Sequence, residues 1–114
     1  MTPSEVSHLD PEESKRRVDA GALLLDVRNP DEWQAGHVEG AAWIPMQELA
    51  ERQDELPTDR DIVVVCKVGG RSARVAEALV AAGYEAVNVA GGLEAWQEAG
   101  LPIVTDDGQP GTVA

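Results

Sequence analysis

Residues 61–83, DIVVVCKVGGRSARVAEALVAAG, contain the pattern that decides the fold. The β-branched run at 62–65 predicts a strand buried on both faces of a sheet. Apolar residues at helical spacing follow and predict an α-helix that stops at Gly83. A glycine-containing loop joins the two elements and begins with Cys66, the single cysteine of the chain. The sequence therefore predicts a strand–loop–helix unit with one thiol at the strand exit.

The same alternation of short strands and helices extends to both sides of this unit. Further strands are predicted at 22–27, 40–45 and 86–89. Further helices are predicted at 10–18, 29–36, 46–56 and 93–100, and an extended segment at 101–104. Such alternation is typical of α/β domains with parallel sheets. We expect a three-layer α/β/α fold with a central, mostly parallel sheet of about five short strands, and ligands at the carboxyl ends of those strands.

Length and composition fit one globular domain. The chain has 114 residues, 43% of them hydrophobic, enough for one core. The last residues are polar and contain glycine and proline, which favours fraying. We expect a single domain over residues 1–104 and a flexible C-terminal tail over residues 105–114.

Charge and cysteine content narrow the classes of partner and compartment. With 21 acidic and 9 basic residues the net charge is −12, so nucleic acid and anionic membranes are not expected partners. No apolar run reaches membrane-spanning length, and the amino terminus lacks the order of a signal peptide. One cysteine excludes an internal disulfide and a cysteine-rich zinc site. We expect a cytoplasmic protein with no cofactor and no metal.

The loop after Cys66 has the composition of an anion-holding turn. Gly69 and Gly70 can take positive φ, which lets successive N–H groups turn inward. Lys67, Arg71 and the following helix terminus add positive potential, so we expect the thiol to ionise below its free pKa of about 8.5. The alternative is a buried, inert cysteine beside an ordinary turn. The order strand, Cys, Gly-Gly, Arg, helix favours the reactive thiol.

Loop length separates two kinds of cysteine chemistry. Cysteine phosphatases place five residues between the cysteine and the arginine, whereas only four separate Cys66 from Arg71. The shorter ring should fit one extra atom on sulfur better than a tetrahedral phosphate. Val65 also stands where the commonest phosphatase pattern has histidine. A phosphatase or arsenate reductase of related fold is therefore a less favoured alternative.

Three segments in order resemble the single-domain rhodanese family of sulfurtransferases. They are LLLDVRNPDEWQAGHVEGAAWIP, VVVCKVGGRSARVAEAL and VNVAGGLEAWQEAGLPI. The resemblance covers about residues 4–104. It implies that Cys66 takes a sulfane sulfur from a donor such as thiosulfate, becomes a persulfide and passes the sulfur to cyanide or a thiol. The residues implied to hold the persulfide are Lys67, Val68, Gly69, Gly70, Arg71 and Ser72.

Other polar residues are expected to support the site. The resemblance suggests that Asp26 and Arg28 form a buried polar network that fixes the loops, and that His37 is structural. Lys67 either receives an anionic donor or is simply solvated, and His8 is expected to be solvated.

Two further alternatives concern what the domain does. A sulfur-relay or binding module would exchange sulfur only with a protein partner. A catalytically dead regulatory domain is disfavoured, because such domains typically lack the cysteine that this chain retains as Cys66.

Overall fold

Strands and helices alternate along residues 6–114, the part of the chain that the computed structural model describes. The strands are β1 (His8–Leu9), β2 (Leu23–Asp26), β3 (Ala42–Trp43), β4 (Ile62–Val65) and β5 (Ala86–Val89). The α-helices are α1 (Pro11–Asp19), α2 (Pro30–Ala35), α3 (Leu49–Arg52), α4 (Gly70–Ala81) and α5 (Gly92–Glu98).

All five strands run parallel in one sheet of order β1-β5-β4-β2-β3. The central strand β4 pairs with β2 so that Val65 faces Asp26, and with β5 so that Val64 faces Asn88. The carboxyl ends of these three strands therefore lie side by side at one edge of the sheet. The predicted parallel α/β fold is confirmed.

The two faces of β4 build two hydrophobic clusters. Ile62 and Val64 pack in one cluster with residues of α3 and α4, while Val63 and Val65 pack in the other with residues of α5. All four side chains are fully buried. Burial of each contributes about 1.5–3 kcal/mol, which explains why this run is held at the middle of the sheet. Helices cover both faces, as the three-layer prediction requires.

Two segments differ from the sequence-based expectation. The two-residue strand β1 was not predicted, because it is too short to show a period and forms only by pairing with β5. Residues 46–56 do not form one amphipathic helix. The segment contains a 3-10 turn (Met46–Glu48), helix α3 and a second 3-10 turn (Gln53–Glu55), since Pro45 and Pro57 bound a short connection.

The C-terminal segment lies against the end of α2. Val104 forms isolated bridges with His37 and with Pro110. The Gly111 amide donates to the Ile103 carbonyl at 2.8 Å, and the Thr112 amide donates to the carbonyl of Ala35 at 2.9 Å. The boundary at residue 104 and the flexibility of residues 105–114 stay predictions.

Within residues 6–114, no helix combines the length and the hydropathy needed to cross a membrane.

Candidate active site

Cys66 follows the last residue of β4, and its side chain is 0% exposed. Three donors of the loop and the first turn of α4 lie within hydrogen-bonding distance of its Sγ. The Gly69 amide lies at 3.2 Å, the Ser72 amide at 3.3 Å and the Ser72 hydroxyl at 3.2 Å. Donors on one side of a sulfur atom favour its anionic form.

The pKa of the Cys66 thiol is lowered. Burial acts against ionisation and is the largest single effect, but hydrogen bonds outweigh it. These come from the hydroxyl and amide of Ser72 and from the amides of Gly69 and Val68. The amino terminus of α4 adds the positive end of its dipole. The expected acidic thiol therefore has a physical basis in the loop.

The two loop glycines have different conformations. Gly69 adopts a left-handed φ of +105°, where a side chain would be strained, whereas Gly70 begins α4. Among the amides of residues 67–72, the residues that the resemblance implies hold the persulfide, those of Gly69 and Ser72 donate to Sγ. The expectation for the whole set concerned a second, outer sulfur atom and stays a prediction.

Helix α5 orients the first peptide groups of the loop. The Leu93 amide donates to the Cys66 carbonyl at 2.8 Å, and the Glu94 amide donates to the Lys67 carbonyl at 3.0 Å. In a trans peptide the N–H points opposite to the C=O. Because these carbonyls face α5, the amides that follow them are directed away from α5. Helix α5 approaches the loop so closely that Gly92 has no space for a side chain. Its φ of +63° would also strain any other residue.

Arg71 links the loop to α2 through Glu32. Its two terminal nitrogens lie 2.7 and 2.9 Å from the two carboxylate oxygens of Glu32, a bidentate pair. The Arg71 guanidinium, with help from the Asn29 amide, lowers the pKa of Glu32 to about 2 against the effect of burial. Arg71 was expected to add positive potential at the loop, and its partner Glu32 was missed. A glutamate beside Trp33 in the first turn of α2 was the available signal.

Asp26 and Arg28 form a buried pair below α2. Both side chains are 0% exposed, and Arg28 Nη2 lies 2.8 Å from Asp26 Oδ2. The same nitrogen donates to the Gly36 carbonyl at 2.7 Å, and Nη1 donates to the Glu32 carbonyl at 3.2 Å. These contacts hold the backbone of α2, the helix that carries the partner of Arg71. These contacts are consistent with the supporting role predicted for Asp26 and Arg28. That this support matters for function stays a prediction.

His37 packs on the far side of α2. Its ring stacks on Trp33 with centroids 3.7 Å apart, and its Nδ1 lies 2.8 Å from the Trp33 carbonyl oxygen. Its Nε2 lies 3.3 Å from Asp106 Oδ1. These partners belong to α2 and the C-terminal segment, so the structural role suggested for His37 fits its position.

Lys67 and Val68 form the outer part of the loop. Lys67 Nζ lies 4.0 Å from Glu94 Oε2, and both side chains are partly exposed. Val68 is 58% exposed, and among residues 6–114 it is the one large apolar side chain that is exposed. The loop thus presents one cation and one apolar group to solvent.

Asn88 is the polar residue beside the sulfur that sequence reasoning missed. It is the last residue of β5 that pairs with β4, it is 3% exposed, and its Oδ1 lies 2.6 Å from Ser72 Oγ. Its Nδ2 lies 3.0 Å from Nδ1 of His8, which is exposed as expected yet not free of contacts. An asparagine inside an otherwise apolar strand was the signal for this position.

A thiol whose anionic form is favoured, held in a loop at the end of a central parallel strand, is a geometry suited to chemistry at a cysteine sulfur. The Rhodanese-like domain model matches residues 10–99, and the chain belongs to this family.

Relatives with stated activities support a rhodanese-type sulfurtransferase. The chain is 40% identical over 106 residues to a protein named Sulfurtransferase from Allochromatium vinosum, covering 90% of this chain and 99% of that protein. It is 37% identical over 122 residues to Thiosulfate sulfurtransferase 18 of Arabidopsis thaliana, covering 93% and 89%. A third relative is a probable adenylyltransferase/sulfurtransferase, MoeZ, of Mycobacterium tuberculosis, at 40% identity over 95 residues. The match covers 79% of this chain and 24% of that protein.

Solved structures show the same fold. A rhodanese-related protein from Thermoplasma volcanium superposes with a TM-score of 0.83 at 33% identity, covering 88% of this chain and 99% of that one. A rhodanese-like domain protein from Staphylococcus aureus gives a TM-score of 0.74 at 32% identity, covering 80% and 91%.

Proposed function

We propose that the protein transfers a sulfane sulfur through a persulfide on Cys66, with thiosulfate as a donor and cyanide or a thiol as acceptor. The observation that carries the proposal is the placing of three donors within hydrogen-bonding distance of Sγ: the Gly69 amide, the Ser72 amide and the Ser72 hydroxyl. A thiolate held in this way attacks sulfur without a general base.

In the first half-reaction the Cys66 thiolate attacks the outer sulfur of thiosulfate. The new S–S bond forms with an electron pair from Sγ, and the old S–S bond breaks with its pair on the leaving sulfite. The protein then carries Cys66–S–S⁻, and total charge is unchanged. The negative charge has moved from Sγ to the terminal sulfur, where we expect the amides of residues 67–72 to receive it.

In the second half-reaction the acceptor attacks the terminal sulfur. Cyanide forms a C–S bond and leaves as thiocyanate, while the persulfide S–S bond breaks with its electron pair on Sγ. Sulfur, charge and electrons balance over the two steps, and the thiolate is restored. Splitting one transfer into two displacements predicts ping-pong kinetics, with parallel double-reciprocal plots for donor and acceptor. Intersecting plots would exclude a covalent carrier.

Intact-mass measurement tests the carrier directly. Thiosulfate should add the mass of one sulfur to the wild-type protein, and cyanide should remove it. Cys66→Ala should gain nothing, since the chain has one cysteine and hence no other thiol. A mass gain on Cys66→Ala would contradict the assignment. So would hydrolysis of an aryl phosphate that is lost in Cys66→Ser, because that activity would identify a phosphatase.

Two observations favour a second candidate, a sulfur relay between proteins. Val68 exposes an apolar side chain two residues from Cys66, on the outer part of the loop, where a partner protein that exchanges sulfur with Cys66 would contact it. The relative MoeZ, by its name, combines a sulfurtransferase with an adenylyltransferase. Under this proposal Val68→Thr, which keeps the backbone amide and the branched shape and adds no charge, slows transfer to a partner protein more than it slows thiosulfate-to-cyanide turnover. Wild-type turnover with small donors at ordinary enzyme rates, with no partner present, would favour the enzyme over the relay.

A further inference from the structure

The side chain of Asn88 connects the sulfur site to the far edge of the sheet. Its Nδ2 lies 3.4 Å from the Gly69 carbonyl oxygen and 3.0 Å from Nδ1 of His8. A carbonyl oxygen only accepts, so the amide nitrogen faces Gly69 and the amide oxygen faces Ser72. Asn88 is 3% exposed and Ser72 is 0% exposed. Water therefore has little access to change this orientation.

The Ser72 hydroxyl has one proton and two acceptors. It lies 2.6 Å from Asn88 Oδ1 and 3.2 Å from Cys66 Sγ. A hydroxyl donates its proton in one direction at a time. When the proton points to sulfur it stabilises the thiolate, and when it points to Asn88 the sulfur keeps only the amides of Gly69 and Ser72. The two side chains therefore compete for the same donor.

We propose that Asn88 is a positioning residue for sulfur transfer. It acts by accepting the hydrogen bond of the Ser72 hydroxyl, for which Cys66 Sγ is the competing acceptor. The proposal rests on the persulfide function proposed above and adds a residue to it. Asn88 does not touch the reacting atoms. It acts through Ser72, and its orientation is fixed by Gly69 and His8.

The competition matters because the charge on sulfur moves during the reaction. In the thiolate the charge is on Sγ, and a third hydrogen bond stabilises the ground state. As the bond to the donor sulfur forms, Sγ becomes a neutral bridging atom and the charge passes outward. A hydrogen bond to Sγ is then weaker in the transition state than in the reactant, which slows attack. Asn88 gives the Ser72 proton a second acceptor throughout this change.

The pH dependence of Cys66 alkylation by iodoacetamide tests the competition with no sulfur donor present. Asn88→Leu keeps the branched shape of the side chain and removes the acceptor, so the Ser72 proton turns to sulfur. The midpoint of the alkylation curve should fall by about one pH unit, the effect of one hydrogen bond to a charged atom. In a Ser72→Ala background, Asn88→Leu should leave the midpoint unchanged. A shift of equal size in both backgrounds, or no shift in either, would overturn the proposal.

Asn88→Asp provides a variant of nearly identical shape that keeps an acceptor oxygen facing Ser72. The midpoint of its alkylation curve should equal the wild-type value or lie above it. The Ser72 hydroxyl keeps its hydrogen bond to residue 88, and a negative charge on the aspartate disfavours the Cys66 thiolate. A midpoint below wild type would show that substitution at Asn88 disturbs the loop itself, which contradicts the proposal. This variant keeps the proposal open to refutation even if Asn88→Leu fails to fold, because a lowered midpoint would overturn it.

The mass experiment tests the persulfide function and the alkylation experiment tests the role of Asn88, so either proposal can be refuted without the other. If wild-type protein gains no sulfur from thiosulfate, the persulfide function falls, whatever the alkylation midpoints show. If it gains sulfur but the effect of Asn88→Leu does not depend on Ser72, only the positioning role of Asn88 falls.

Discussion

Cys66 combines two properties that oppose each other. Full burial disfavours the thiolate, and the hydrogen bonds from the loop and α4 favour it. Since the pKa is lowered on balance, the donors outweigh the burial. A sulfur with no exposed surface meets a donor only after the surrounding side chains move apart. Reactivity at this residue is therefore a matter of both ionisation and access.

Lys67 is a partly exposed cation at the outer face of the loop. We expect Lys67→Ala to raise the KM for thiosulfate about fivefold, the effect of losing about 1 kcal/mol from a partly exposed charge pair. Uncharged persulfide donors should keep their KM, because they gain nothing from the ammonium group. Steady-state kinetics with both kinds of donor measure the difference.

The matched control for Lys67 is Glu94→Gln. Glu94 lies 4.0 Å from the Lys67 ammonium, so its neutralisation should lower the KM for thiosulfate and leave uncharged donors unaffected. An equal loss for both donor types in Lys67→Ala would assign this residue to loop architecture.

At the scale of elements, α2 and α5 hold the loop from two sides. The Glu32–Arg71 pair joins α2 to the first turn of α4, and the amides at the start of α5 hold the carbonyls of Cys66 and Lys67. The loop alone has neither set of partners. Its geometry is therefore a property of the packed helices as much as of its own glycines.

Gly92 tests the contribution of α5. A Cβ at this position would lie 2.5 Å from the Cys66 carbonyl oxygen and would need a left-handed φ of +63°. We expect Gly92→Ala to displace the loop, raise the pKa of Cys66 and reduce thiosulfate-to-cyanide turnover by at least about tenfold, since small displacements at a reacting centre are costly. Alkylation curves and steady-state turnover measure both effects.

Gly100→Ala is the control for Gly92→Ala. Gly100 has a φ of +82° and nothing within 4 Å of an added Cβ, so the substitution carries the backbone strain without the collision. It should lower the free energy of unfolding by about 1–2 kcal/mol and leave turnover near wild type. Comparable losses of turnover in the two variants would attribute the effect to general strain.

For the whole molecule, the dominant feature is a net charge of −12 around a site that, under the proposed function, binds anionic sulfur donors. The helix terminus of α4, Lys67 and Arg71 supply positive potential at the loop, but Arg71 is neutralised by Glu32. Long-range attraction of thiosulfate is therefore not expected, and binding depends on contacts inside the loop.

The C-terminal segment is also a question for the whole molecule. We expect the Gly111 and Thr112 amides to exchange with deuterium at least about tenfold more slowly than in an unstructured peptide, because both donate to backbone carbonyls of the domain. Hydrogen exchange read by NMR measures this, with the His37 amide, which donates to Val104, as an internal reference. Exchange at the unstructured rate would support the flexible tail that the composition suggests.

The amino-acid sequence by itself determined the order of the elements, the parallel sheet and the place of Cys66 at a strand exit. These features depend on local patterns, such as the β-branched run at 62–65 and the helical spacing after it. The two segments that differ from the sequence-based expectation also have physical causes. Strand β1 is held by its partner β5, and the turns within residues 46–56 are imposed by the connection they make.

Only the tertiary structure decided which side chains support the loop and the helix turn around the sulfur. Glu32 is 39 residues from Arg71 in sequence, and Asn88 is 16 residues from Ser72. Each meets its partner because parallel pairing brings the carboxyl ends of β2, β4 and β5 to one edge of the sheet. Contacts of this kind depend on how distant elements pack, and no local pattern in a single sequence records them.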